Sequence, residues 1–227
     1  MARFQLNKGD RFTLDKSEGL SKIRVELSWE SGADLDAEAF LLGEDGMIIE
    51  DADFVYYNSV KRSKPFEEGN NESEYMDNVT EEPFNLKIHG PKKKWKENTV
   101  PLSFDESVVG SWDDPGQEGG DEGEEESGET IRVNLDRVRP EIREIVFTVT
   151  IHEGNGVTFK DVKNAKISIV NIDTDEELCS YALNEEFKHE DAVVAGAIIL
   201  NDEGEWDFEA IGNGYEGGLQ TLIDLYA

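Results

Sequence analysis

The sequence predicts an all-β protein: a two-sheet β-sandwich with a short C-terminal helix. Three observations carry that expectation. Short segments alternate polar and apolar residues, the period of a half-buried strand. Turn clusters such as "EDG", "DTDE" and "NDEG" separate them at close spacing, as in sandwiches. Only the last residues carry a helical stripe. A length of 227 residues suits one all-β domain spanning residues 1–227.

Taken in order, "RFQL" and "RFTLD" flank the turn signal "NKGD", so residues 3–15 read as a hairpin. "KIRVELSW" (22–29) puts Ile23, Val25, Leu27 and Trp29 on one face. "LDAEAFLLG" (35–43) and "ADFVYYN" (52–58) read as further strands. Residues 59–111 are polar and turn-rich and read as an insertion elaborating the sandwich. Within it "PFNLKIHG" and "TVPLSFD" pair as short strands, with the basic cluster "PKKKWK" as solvated lysine at the tip or a contact for the acidic surface. An acidic, glycine-rich loop covers 112–129. "TIRVNLD" (130–136) then alternates, and "EIVFTVTIHE" (144–153) aligns Ile145, Phe147, Val149 and Ile151. "VTFKDVKNA" (157–165) is a turn or helical stub. "KISIVNID", "ELCSYALN", "AVVAGAIILND" and "EWDFEAIG" complete the strands. In "GGLQTLIDLYA", Leu219, Leu222, Ile223 and Tyr226 share a helical face.

The chain carries 52 acidic and 22 basic residues, a net charge of −30. That charge repels nucleic acid and anionic membranes and suits metal cations or basic partners. Its self-repulsion opposes compactness, which bound divalent cations would offset. The single cysteine, Cys179, cannot form an internal disulfide, which points to a reducing compartment. It reads as a small buried hydrophobe. "MARFQLNKGD" has no apolar signal core, and no apolar run approaches the ~18 residues of a membrane span. The expectation is a soluble cytoplasmic protein without direct membrane insertion.

Candidate chemistry lies in the acids. Asp34 and Asp36 in "GADLDAEAF" stand two apart, so on a strand both carboxylates point to one side. They form either a solvated face or one bridged by a cation; hard cations such as Ca²⁺ take six to eight oxygens. The position where a helix–loop–helix calcium loop needs its turn glycine is Ala39, which excludes that motif. "GQEGGDEGEEESGE" (116–129) has seven acids and five glycines. Composition alone makes it a disordered spacer or a cation loop. Asp34, Asp36, Asn58, Asp113 and Asp114 could converge with it at one end of a sandwich. "GNGYEG" (212–217) fits a dinucleotide-binding pattern, but ten residues follow it, too few for the rest of that unit. It reads as a tight strand-to-helix connection. His89, His152 and His189 have no metal-binding spacing, and no nucleophile elbow or phosphate loop occurs.

Several segments together resemble the TerD-domain family of tellurium-resistance and stress proteins. They are "LNKGDRFTL", "IRVELSWE", "DLDA", "DADFVYYN", "ETIRVNLDRVRPEIREIVFTVTIHE", "FKDVKNAKISIVN" and "EWDFEAIGNGYEGGLQTLIDLY". The resemblance implies a sandwich binding one or two Ca²⁺ ions in acidic loops at one end, with no enzymatic activity. It implies a cytoplasmic bacterial or phage-encoded protein that acts against tellurite, chemical stress or phage. Its implied partners are other stress proteins in membrane-associated complexes. Position by position, the D-x-D-A motif falls on Asp34 and Asp36, and the F-V-Y-Y-N strand end gives Asn58. The acidic loop starts at Asp113 or Asp114 and ends at Glu129. Glu153 in "IHEG" takes the place of an aspartate. Where relatives carry G-D-D-E this chain has "ESGE", so Asp121 and Glu122, or Glu124–Glu126, are expected to supply carboxylates in altered register. A structural or assembly component, in which Ca²⁺ only stabilises the fold, is the alternative from another class. A hydrolase using Ca²⁺ as an electrophile would need a base that the sequence does not nominate.

Overall fold

The computed structural model describes residues 4–30, 34–111, 127–151, 156–183, 187 and 189–227. In chain order the elements are β1 (Phe4–Gln5), β2 (Arg11–Leu14), β3 (Lys22–Glu30), β4 (Leu35–Leu42), β5 (Phe54–Val55), β6 (Arg62–Ser63), α1 (Glu72–Asn78), α2 (Leu86–His89), α3 (Lys92–Glu97), β7 (Val100–Pro101), β8 (Val108–Val109), β9 (Ser127–Asn134), β10 (Glu144–Ile151), β11 (Lys163–Asn171), β12 (Glu176–Ala182), β13 (Ala192–Leu200), β14 (Trp206–Tyr215) and α4 (Gly218–Tyr226). One six-stranded sheet runs β1-β12-β11-β3-β9-β8, and the other runs β2-β14-β13-β10-β4-β5.

Their inner faces meet in one core. Ile23, Val25, Leu27 and Trp29 of β3 are buried there as their alternation predicts, with Ile145, Phe147 and Val149 from the opposite sheet. The outer face of the second sheet holds a smaller cluster. Phe40, Leu42, Val146 and Val194 pack under Leu219, Leu222, Ile223 and Tyr226 of α4, the helical face expected from the sequence. Cys179 is fully buried, and burial pushes its thiol up to about 12. It behaves as a small apolar side chain.

Four expectations are corrected. Residues 3–15 are not a hairpin: β1 pairs parallel with β12, and β2 pairs with β14 in the other sheet. The Asn7–Asp10 turn still forms, with the Asn7 N–H donating to Asp10 Oδ2 at 2.8 Å. It carries the chain between sheets whose edges offer established ladders. Within 52–58, only β5 is strand, preceded by a 3₁₀ turn at Asp51–Asp53 with Asp53 buried. In 84–104 there is no strand pair between "PFNLKIHG" and "TVPLSFD". The former holds α2, started by the Asn85 side chain accepting from the Lys87 N–H at 3.0 Å, and β7 pairs with β6 instead.

"PKKKWK" is likewise a helix, not a hairpin tip, because Trp95 turns inward and is buried. Arg62, also buried, holds this segment. Its guanidinium donates to Thr99 Oγ1 at 2.8 Å and to the carbonyls of Tyr57, Ser59, Lys96 and Thr99 at 2.7–3.3 Å.

Candidate metal centre

The alternation of β4 sends Leu35, Ala39 and Leu41 into the main core and Phe40 and Leu42 under α4. Asp36 and Glu38 share the outer side with Phe40. Asp34, half-buried, immediately precedes the strand, and Asp36 is 5% exposed. In register, Asp36 lies opposite Thr150 and Glu38 opposite Thr148 on β10.

Glu38 is fully buried, and sequence reasoning did not select it. Its carboxylate accepts from Thr148 Oγ1 at 2.6 Å and Thr150 Oγ1 at 2.5 Å. Burial pushes its pKa up to about 8; the two hydroxyls oppose that rise, and the Asp36 charge adds to it. The signal was present as the second step of the same alternation, Asp34-x-Asp36-x-Glu38.

Glu129 reaches this strand from the other sheet. It continues the inward parity of Ile131 and Val133 on β9. Its Oε2 accepts the backbone N–H of Ala37 at 2.5 Å. Among the described residues β5 pairs only with Ala39 and Phe40, so the β4 edge beside Ala37 is met by a carboxylate, not by a strand. Gly128 allows the approach to β3, since a Cβ there would sit 2.7 Å from the Leu27 carbonyl oxygen.

Asn58 is placed differently. It is exposed in the turn after β5, and the Lys96 ammonium donates to its side-chain oxygen and, at 3.4 Å, to its carbonyl. A cation ligated by Asn58 would have to displace that lysine. Asp113, Asp114, Asp121, Glu122 and Glu153 lie outside the described residues. Among the described residues, no group of three or more His, Cys, Asp or Glu side chains is gathered to hold a metal.

Asp36 lies on the outer side of β4 with Asp34 just before the strand, while Glu129 meets the Ala37 N–H from the other sheet. An oxygen-only, anionic donor set fits a hard divalent cation and not a soft metal.

No helix among the described residues is long and apolar enough to cross a membrane. His89 accepts the Asn85 N–H at Nδ1, 2.9 Å away, and its Nε2 lies 3.1 Å from Glu82. It is a structural residue of the α2–α3 segment.

Comparison with known proteins agrees with this architecture. The TerD domain model matches residues 1–86 and 101–226. General stress protein 16U of Bacillus subtilis (strain 168) is 34% identical over 231 residues, covering 97% of this chain and 95% of that protein. Tellurium resistance protein TerD of Serratia marcescens is 30% identical over 230 residues, with 97% and 95% covered. The crystal structure of a homologue of telluride resistance protein (TerD) from Streptomyces coelicolor A3(2) has a TM-score of 0.50 at 17% identity, covering 89% of this chain and 95% of that one. It shares the fold. On its full-length similarity to these proteins, the chain belongs to the TerD-domain family.

Proposed function

We propose that this protein is a non-enzymatic, Ca²⁺-dependent binding module of the bacterial stress response, acting in tellurite or chemical resistance. What supports the reading is the contact that Glu129 of one sheet makes with β4 of the other, one residue from Asp36. Asp36 stands on β4 with Asp34 just before it, and Glu129 crosses from the opposite sheet to the Ala37 N–H. The names of the relatives, a general stress protein and a tellurium resistance protein, support the biological setting.

Asp34, Asp36 and Glu129 would hold the ion, joined by carboxylates of the 112–126 loop and Glu153. Bound Ca²⁺ supplies positive charge that relieves repulsion among these groups. Because Asp36 and Glu129 belong to different sheets, neutralising them ties the sandwich together at this end and stabilises the native state by mass action. The protein's own contribution is to hold the oxygens in place and order the adjacent loop as a surface for a partner.

Growth under tellurite tests the function. Bacteria made sensitive by loss of their own resistance protein should recover when they express this chain. They should not recover with the Asp34→Ala/Asp36→Ala variant, folding being checked by circular dichroism. Equal protection by the two proteins would remove the cation rim from the function.

A further inference from the structure

The α2–α3 segment stands apart from the rest of the molecule in three respects. It is basic in an acidic protein: Lys87, Lys92, Lys93, Lys94 and Lys96 face one acid, Glu97, between residues 86 and 97, while the whole chain carries −30. It exposes aliphatic side chains, with Leu86 67% and Ile88 75% accessible. And residues 87–100 lie between the two stretches that match the TerD domain.

The exposure of Leu86 and Ile88 is informative. They are two apart on a four-residue helix, so at about 100° per residue they point to nearly opposite sides. Both reach solvent only if the turn protrudes from the body. The tip is nonetheless anchored. Trp95 is buried, its indole donates to the Glu82 carbonyl at 3.2 Å, and the Phe84 ring lies 5.6 Å from it. Lys96 turns inward to Asn58, whereas Lys87, Lys92, Lys93 and Lys94 remain exposed.

We propose that this tip is a docking element for an anionic lipid surface, with Leu86 and Ile88 entering the headgroup layer and the four exposed lysines at the level of the phosphates. Clustered lysines beside exposed aliphatics are the chemistry of interfacial membrane binding. A protruding tip, unlike a groove, suits a deformable interface. Acids of the body more than a Debye length of about 8 Å from the surface are screened, so a protruding tip meets the lipid while the net charge of the rest repels it only at closer approach and thereby sets the orientation. This inference is independent of the cation rim.

The test is cosedimentation of the full chain with vesicles, in chelator so that cation bridging does not contribute. Vesicles of equimolar phosphatidylglycerol and phosphatidylcholine should bind it, pure phosphatidylcholine should not, and added salt should weaken binding. Near an anionic surface each lysine is worth about fivefold in affinity. Lys92→Ala/Lys93→Ala/Lys94→Ala should therefore cost about a hundredfold. Leu86→Ser/Ile88→Ser should cost at least about tenfold. Both sets change exposed positions and should leave the unfolding temperature unchanged. No binding, equal binding to the two vesicle types, or wild-type binding by the lysine variant would overturn the proposal. So would salt-dependent self-association through the same lysines without vesicle binding, which would make an acidic protein the occupant.

Discussion

Glu38 is the residue on which the electrostatics of the rim turn. Its carboxyl has an ordinary value of 4.5 and is raised to about 8 by burial, so folding favours its protonated form. That contribution is fully favourable below pH 4.5 and is lost as the pH rises through 8. Asp53 and Glu144, also raised by burial, act in the same sense. Asp136 is lowered, first by its bond from Lys16, and acts oppositely, below its ordinary value of 3.8. Chelated protein is therefore expected to lose stability between pH 5 and 8. At about 1.4 kcal/mol for each pH unit between the two values, Glu38 would account for a few kcal/mol. Glu38→Gln should flatten the larger part of that slope in urea titrations at several pH values. A slope equal to that of the wild type would mean that Glu38 is ionised in the fold. The Asp34/Asp36 pair was selected from the sequence because acids at i and i+2 point to one side of a strand. Glu38 was not, because "AEAF" reads as the beginning of a core strand, and only the threonines across the ladder reveal how its charge is accommodated.

At the scale of elements, α4 depends on a side chain far from it in sequence. Its N-cap is Gly217, at φ 110°, which offers no capping side chain. Instead Asp191 Oδ1, at the start of β13, accepts the N–H groups of Gly217 and Gly218, each at 2.8 Å. The "GNGYEG" connection is thereby fastened to the start of β13. Asp191→Ala should lower unfolding free energy by about 1 kcal/mol and speed amide exchange in α4 while sparing β10. Unchanged exchange would show that apolar packing alone seats the helix. β3 was legible because one face is buried and the other is not, and β10 because its inward positions are apolar although both faces are buried. The α2–α3 segment was not. Its fold depends on Trp95 finding a buried site and on Arg62 gathering four carbonyls, neither of which leaves a periodic trace. The N-terminal turn was legible, but its destination was not, because pairing to β12 and β14 is decided by strands more than 150 residues later.

For the whole molecule, the account rests on charge. A protein at −30 carries Asp34 and Asp36 at the start of β4 and a lysine-rich tip with exposed aliphatics in the segment between its two family-matched stretches. On the readings proposed above, the first feature takes a cation and the second an anionic surface. The measurement that tests the central claim most directly is calorimetric titration of chelator-stripped protein with Ca²⁺, beside Mg²⁺ and with the Asp34→Ala/Asp36→Ala variant. The account predicts saturable binding, selective for Ca²⁺ because a flexible oxygen cage suits the larger ion, with the affinity lost or strongly weakened in the variant and a stoichiometry of one or two. Absence of binding heat, or equal response to both ions with an indifferent variant, would contradict it and leave the acidic loop a solvated spacer.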